Sequence, residues 1–259
     1  MKIAVIVALV LLIGISVYVA VRSHHPSYVA LQSFHSAGQP MIQRIELKTE
    51  DNVRIIGDYY SAATTSSRGL LLIHMMPATR TSWAEFANKM QAAGWDVLAI
   101  DLRGHGESDG GPNGYQNFSD AEHRASHFDV EAGVAFLQSK GIASIALGGA
   151  SIGANLAIQY LALHPDAKAA FLLSPGLDYR GVLTENAVAS LRPGQAVYYV
   201  ASEDDPASAS ATQKLFNVTP VGVEKQLTIF KTAGHGTTMF EREPAFANTL
   251  ALWLEDVSQ

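Results

Sequence analysis

Gly149-Ala150-Ser151-Ile152-Gly153 is the stretch that decides the fold of this chain of 259 residues. It follows a strand-like run at 142–147 and begins a helix-like run at 151–163. A serine on such a sharp strand-to-helix turn projects its hydroxyl above the edge of the sheet, and small residues are needed two positions to either side. The amide of Ile152 lies at the helix N-terminus, where it has no intrahelical acceptor and can face a developing oxyanion. The stretch therefore predicts a nucleophilic serine at the end of a strand.

A serine hydroxyl attacks efficiently only when a base removes its proton, and that base needs a third group to orient it. Asp205 follows a strand-like run at 196–201, and His235 stands between two glycines after a second run at 226–230. Along the chain the order is serine, acid, histidine, which differs from the order in chymotrypsin and in subtilisin. Because each of the three residues follows a strand-like run, we expect their side chains to meet at one edge of a sheet although they are distant along the chain.

From residue 41 to the C-terminus the chain resembles the α/β-hydrolase superfamily. The resemblance rests on the motif around Ser151 and on two further runs, Leu70-Leu71-Leu72-Ile73-His74 and Asp101-Leu102-Arg103-Gly104-His105-Gly106-Glu107-Ser108. The chain is most similar to compact members without a lid, such as dienelactone hydrolases and small esterases. The resemblance implies an α/β-hydrolase fold, with a mainly parallel twisted sheet, helices on both faces and little or no cap domain.

The same resemblance implies roles for three residues: Ser151 as the nucleophile, Asp205 as the acid and His235 as the base. The family usually has a glycine three residues before the acid, and Ser202 stands at that position here. Because of this difference, the neighbouring Asp204 stays open as the alternative acid.

The loop that would complete the oxyanion hole departs from the family pattern. The family commonly has His-Gly-X after this strand, whereas the chain has His74-Met75-Met76-Pro77. By position, the amide of Met76 would be the second oxyanion donor beside that of Ile152. A side chain at Met75 narrows the backbone conformations of the loop, so we expect a variant hole. The two methionine side chains would make the acyl pocket apolar and adaptable.

Composition excludes several classes of protein. An apolar content of 48% suits one large domain, and the net charge of −6 comes without a basic patch of the kind that binds nucleic acid. The absence of cysteine rules out disulfides and a thiol nucleophile. His123 and His127 have a spacing that could hold a metal on one helix face, but no third ligand is identifiable, so we expect a solvated pair. No metal or cofactor is implied.

The N-terminus predicts a membrane anchor. Residues 3–21 carry no charge and lie between Lys2 and Arg22. As a helix this run would span roughly 28 Å, close to the thickness of the hydrocarbon core of a bilayer. We therefore expect a signal anchor at 1–22, a tether at 23–40 and the catalytic domain at 41–259 on the non-cytoplasmic side. The alternative is secretion after cleavage of a signal peptide.

Apolar patterning predicts the other elements. Strands are expected at 42–48 and 53–60, which form an antiparallel hairpin, and at 97–100 and 169–173. Helices are expected at 81–93, 120–140 and 205–216, followed by a last helix whose apolar face contains Phe246, Leu250, Trp253 and Leu254. Only about twenty residues separate the strand ending near Ser174 from that beginning near Gln195, fewer than a cap domain needs. An open active site is the consequence.

The predicted function is that of a membrane-tethered serine hydrolase that cleaves carboxylic esters of small molecules through an acyl-enzyme on Ser151. Preference for the leaving group depends on the shape of the pocket, so a peptidase, an amidase or an acyltransferase of the same fold stays open. A catalytically inactive, anchored binding module is the alternative from another class.

Overall fold

The computed structural model describes residues 41–258, and its main feature is one eight-stranded sheet. Two further strands, β7 and β8, form a separate hairpin. In chain order the strands are β1 Met41–Lys48, β2 Arg54–Ser61, β3 Arg68–Ile73, β4 Asp96–Ile100, β5 Ser144–Ala150, β6 Ala169–Leu173, β7 Asp178–Tyr179, β8 Val182–Leu183, β9 Ala196–Ser202 and β10 Glu224–Phe230. The α-helices are α1 Ala84–Ala92, α2 Asp120–Arg124, α3 His127–Ser139, α4 Ile152–Leu163, α5 Glu185–Ala189, α6 Pro206–Val218, α7 Thr238–Arg242 and α8 Phe246–Val257, and short 3-10 helices cover Arg80–Trp83 and Gly114–Asn117.

The large sheet is mainly parallel, as predicted. Its strand order is β1-β2-β4-β3-β5-β6-β9-β10, and only the pairs β1–β2 and β2–β4 are antiparallel. Strands β4, β6 and β9 are buried along their whole length. Their continuous apolar sequences follow from this burial, because a parallel sheet is covered by helices on both faces.

Two apolar cores lie on opposite faces of the sheet. Neighbouring residues of β3 point to different cores, Leu71 to one and Leu72 to the other, as the two-residue period of a strand requires. The first core contains Leu161 of α4, and the second contains Trp83 and Trp253. Both cores hold the strands rigidly, so the loops that follow the strands have fixed starting points.

Most predicted elements are present, and one is wrong. The antiparallel hairpin is confirmed, and Asn52 takes the left-handed conformation (φ 66°) in its turn. The helix predicted over 120–140 is two helices, α2 and α3, which are separated by Ala125 and Ser126. The reason is tertiary: α2 turns His123 inward against the ring of Phe118, so it packs separately from α3.

The segment between β6 and β9 contains only the β7–β8 hairpin and the five-residue α5, so no cap domain covers the sheet there. The predicted anchor at 1–22 and tether at 23–40 lie outside the described residues. Within 41–258, no helix is long and apolar enough to cross a membrane.

Candidate active site

Ser151 occupies a strained turn between β5 and α4. Its backbone has φ 54° and ψ −119°, a conformation that a residue with a side chain rarely adopts. The turn is held because the Ser151 amide donates a hydrogen bond of 2.8 Å to the carbonyl of Leu173 in the adjacent β6. Strain of this kind persists where the surrounding structure fixes the backbone, and it is frequent at functional sites. The side chain is thereby fixed at the end of β5.

The two glycines of the motif are required by close backbone contacts. A Cβ on Gly149 would lie 2.2 Å from the carbonyl oxygen of Gly153, and a Cβ on Gly153 would lie 2.3 Å from that of Ile73. Both separations are far below van der Waals contact, so neither position accepts a side chain. The second contact also brings the N-terminus of α4 against the end of β3, where the His74–Met76 loop begins.

The structure brings Asp205 and His235 together. Strands β9 and β10 are parallel neighbours, so the loops after them leave the same edge of the sheet side by side. Asp205 Oδ2 lies 2.5 Å from His235 Nδ1, which gives the imidazole a fixed orientation. Burial of Asp205 favours a higher pKa, but hydrogen bonds from Ser208 and His235 outweigh it, so the pKa lies below its usual value. The carboxyl group is thus an anion at neutral pH.

Asp204 makes no hydrogen bond to His235 within residues 41–258 but holds the loop that carries it. Its Oδ1 accepts hydrogen bonds from the Ser202 hydroxyl (2.5 Å) and from the Gly234 amide (3.0 Å). Its other oxygen pairs with Arg242 at 3.1 Å. Ser202, at the position of the family glycine, also accepts a hydrogen bond from the Ala233 amide (2.8 Å), so the serine hydroxyl connects the two loops.

The loop after His235 packs beside the residue that precedes Ser151. A Cβ on Gly236 would lie 2.4 Å from Met75 Sδ and 3.3 Å from Ala150 Cβ. The Gly236 amide donates a hydrogen bond of 2.9 Å to the buried hydroxyl of Ser174. His235 is therefore held near the β5 turn, although no hydrogen bond joins it to Ser151 within residues 41–258.

The sequence predicts the amides of Ile152 and Met76 as oxyanion donors. Neither amide has an acceptor among the residues that the structure describes, and the two belong to the segments that meet at Gly153. His74 shapes the second segment: its Nδ1 donates to the Met75 carbonyl (2.9 Å) and its Nε2 accepts from the Leu102 amide (3.0 Å). The departure from His-Gly-X therefore leaves an ordered loop.

The residues of the run 101–108 hold the backbone of their loop in place, and no part in catalysis is assigned to them. Asp101, fully buried, accepts hydrogen bonds from the amide of Arg80 (2.8 Å), from its guanidinium (2.5 Å) and from the Glu107 amide (2.9 Å). A Cβ on Gly106 would overlap the Asp101 carboxylate at 2.1 Å. His105 stacks on Tyr115 with ring centroids 4.1 Å apart.

The prediction of a solvated His123–His127 pair is wrong for His123. That residue is only 3% exposed and lies in α2, whereas His127 is the first residue of α3. The part of the chain that the structure describes contains no group of three or more side chains that could hold a metal ion.

Buried histidines should make the fold sensitive to acid. Burial lowers the pKa of His74 to about 4, and burial also lowers that of His105. An unfolded histidine titrates near 6.5, so at lower pH the unfolded chain binds protons that the folded chain does not. The contribution of these neutral, buried histidines to the free energy of unfolding is therefore fully present above about pH 6.5, and it is lost as the pH drops from 6.5 towards 4.

We expect the His74 contribution to make the free energy of unfolding about 2 kcal/mol smaller at pH 5 than at pH 7.5. Urea unfolding followed by tryptophan fluorescence measures this difference. His74→Asn, which carries no titratable group, should flatten the pH dependence even if it is less stable at every pH. An unchanged slope in that variant would contradict the assignment.

Three residues near the pair were not found from the sequence: Ser174, Tyr179 and Ser208. Ser174 follows β6 directly, so the rule that functional residues follow parallel strands could have found it. The turn residues Arg180 and Gly181 signal the hairpin that presents Tyr179. Ser208 gives no comparable signal, because it is one of several small residues in the first turns of α6.

Comparisons with known proteins agree with this architecture. Residues 70–218 match the family model described as alpha/beta hydrolase fold. A stretch of 121 residues is 28% identical to the AB hydrolase superfamily protein YisY of Bacillus subtilis, covering 47% of this chain and 40% of that protein. A stretch of 153 residues is 29% identical to a multifunctional-autoprocessing repeats-in-toxin of Vibrio vulnificus, covering 54% of this chain and 3% of the toxin. The chain thus spans less than half of either relative.

Solved structures extend the similarity to most of the chain. An esterase of Pyrococcus furiosus superposes with a TM-score of 0.69 at 19% identity, covering 85% of this chain and 92% of the esterase. A dienelactone hydrolase of Anabaena variabilis gives a TM-score of 0.67 at 16% identity, with 85% and 100% covered. At these identities the likeness concerns the fold. Together with the family model, which covers more than half of the chain, it shows that the chain belongs to the α/β-hydrolase fold family.

Proposed function

We propose that the protein is a serine hydrolase that cleaves carboxylic esters of small molecules through an acyl-enzyme on Ser151. The observation that carries the proposal is the contact of 2.5 Å between Asp205 and His235, beside the strained turn that holds Ser151. An oriented base, a serine on a strand-to-helix turn and two free amides are the parts that acyl transfer needs. The esterases and the dienelactone hydrolase of the same fold support a hydrolytic reaction on an ester.

In the first half of the reaction, His235 Nε2 removes the proton of Ser151, and Ser151 Oγ attacks the acyl carbon. The carbonyl oxygen becomes an oxyanion, which the amides of Ile152 and Met76 stabilise. Asp205 stabilises the imidazolium and keeps its Nδ1 protonated. The imidazolium then donates its proton to the leaving alcohol, and the acyl group stays on Ser151.

In the second half, a water molecule replaces the alcohol. His235 removes a proton from this water, and the resulting nucleophile attacks the acyl carbon. The tetrahedral intermediate collapses to the free acid, and Ser151 recovers its proton from His235. A site without a cap domain should favour short acyl groups, because little structure stands above Ser151 to enclose a long chain.

Covalent labelling tests the proposal. The native protein, incubated with a fluorophosphonate, should gain one adduct by intact mass, and peptide mapping should place it on Ser151. Protein unfolded in urea is the control and should not react, because an unactivated serine hydroxyl is a weak nucleophile. A panel of nitrophenyl esters then measures the preference for acyl length. An adduct on another residue would overturn the mechanism, and an inert protein would favour the non-catalytic binding module.

A further inference from the structure

The β7–β8 hairpin presents Tyr179 to the residues of the candidate active site. Its two-residue turn needs positive φ at both positions, and Arg180 (54°) and Gly181 (80°) supply it. The hairpin is fixed on α4 by the buried Asn155, whose side chain donates to the Val182 carbonyl (2.7 Å) and accepts from the Gly176 amide (3.0 Å). Tyr179 therefore stands on a rigid support, and its ring meets that of His235 edge-on at 6.4 Å between centroids.

A chain of hydrogen bonds leads from Tyr179 to Asp205. The Tyr179 hydroxyl lies 3.0 Å from Ser208 Oγ, and Ser208 is 1% exposed. The Ser208 amide in turn donates to Asp205 Oδ1 at 3.5 Å. Because Oδ1 is occupied by Ser208, Oδ2 is the oxygen that faces His235 Nδ1. The orientation of the carboxylate is thus set from the side opposite to the histidine.

The Tyr179 hydroxyl has a second partner at the end of β6. It donates to the Ser174 carbonyl at 3.3 Å, because a carbonyl oxygen can only accept. The hydroxyl of the same Ser174 accepts from the Gly236 amide beside His235 (2.9 Å). Burial raises the pKa of Tyr179, so the phenol keeps its proton. The Tyr179 hydroxyl thus links the first turn of α6, which follows Asp205, to the residue that holds the His235 loop.

We propose that Tyr179 is a positioning residue that fixes the Asp205–His235 pair, and that its hydroxyl acts through Ser208. The proposal rests on the proposed hydrolase function. It assigns the hairpin between β6 and β9 a part in the reaction: without the Tyr179 hydroxyl, the first turn of α6 loses its link to Ser174, and the Ser208 amide is held less firmly on Asp205 Oδ1. Substrate binding should not depend on this chain of hydrogen bonds.

Steady-state kinetics on a nitrophenyl ester test the proposal with Tyr179→Phe, Ser208→Ala and the double variant. Each single change removes one hydroxyl and retains the ring or the backbone amide. We expect each to lower kcat about tenfold, as the loss of a buried hydrogen bond predicts, with KM within about twofold of wild type. The double variant should also lose about tenfold, because both changes break the same chain. Tyr160→Phe, on the far end of α4, is the control and should match wild type.

Three results would overturn the inference. Wild-type kcat in Tyr179→Phe would show that the hydroxyl has no role. An additive loss of about a hundredfold in the double variant would show that Tyr179 acts on Ser151 or on substrate and not through Ser208. A raised KM with unchanged kcat would assign it to binding. Fluorophosphonate labelling of the wild type separates these results from failure of the proposed function, since an inert wild type would remove both proposals.

Discussion

Replacement of Ser151 by alanine should lower kcat for a nitrophenyl ester by about a million-fold, the loss that follows removal of a serine nucleophile. The alanine variant retains the amides of Ile152 and Met76 and the Asp205–His235 pair, so in the proposed mechanism it should still bind the ester and polarise its carbonyl. It has no oxygen to form the acyl-enzyme, however, and each step after binding depends on that bond. Fluorophosphonate labelling should disappear with the same change. Steady-state assays of the purified variant, and stopped assays after long incubation, measure the loss of kcat.

The alanine substitution leaves the fold intact for a specific reason. Ser151 has a positive φ (54°), and alanine has the same Cβ, so the strain of the turn is unchanged. Ser144→Ala is the matched control, because Ser144 begins the strand β5 whose end carries Ser151. It should retain wild-type kcat and Tm. If Ser151→Ala kept more than about a hundredth of wild-type activity, a nucleophile other than Ser151 would have to carry the reaction.

The sequence was sufficient to predict the sheet edge at which these residues lie. Ser151, Asp205 and His235 each follow a strand-like run, and parallel strands place their carboxyl ends at one edge. The small residues of the motif were predictable for a similar reason, because Gly149 and Gly153 approach backbone atoms that leave no room for a side chain. Local rules and chain order were enough for both features.

The contacts between loops could not be predicted in the same way. Asp204 and Asp205 are adjacent acids with the same local sequence, and only the path of the His235 loop decides which one meets the imidazole. The link from Tyr179 to Ser208 joins a hairpin after β6 to the first turn of α6, and no periodic pattern connects residues so far apart. The division of the helix predicted at 120–140 depended likewise on packing of His123 against Phe118.

Asp205→Asn should lower kcat by about ten-thousand-fold, whereas Asp204→Asn should change it by less than about threefold. The two substitutions are chemically identical and one residue apart, so each is the control for the other. An asparagine at 205 can turn its amide group towards His235 and donate to Nδ1. The proton of the imidazole then moves to Nε2, the nitrogen that must accept the proton of Ser151. An asparagine at 204 keeps a carbonyl oxygen for the Ser202 hydroxyl and the Gly234 amide, and it gives up only the charge opposite Arg242.

Comparison of kcat/KM for the two variants on the same ester decides between the two acids. Circular dichroism and Tm of each variant show whether a loss of activity reflects the site or the fold. We expect KM to change little in Asp205→Asn, because the carboxylate contacts the imidazole and not the acyl group in the proposed mechanism. A large loss in Asp204→Asn with a small loss in Asp205→Asn would mean that the contact at 2.5 Å between Asp205 and His235 is not the one used in the reaction. The loop would then have to rearrange on binding substrate, so that Asp204 exchanges the Gly234 amide for the imidazole.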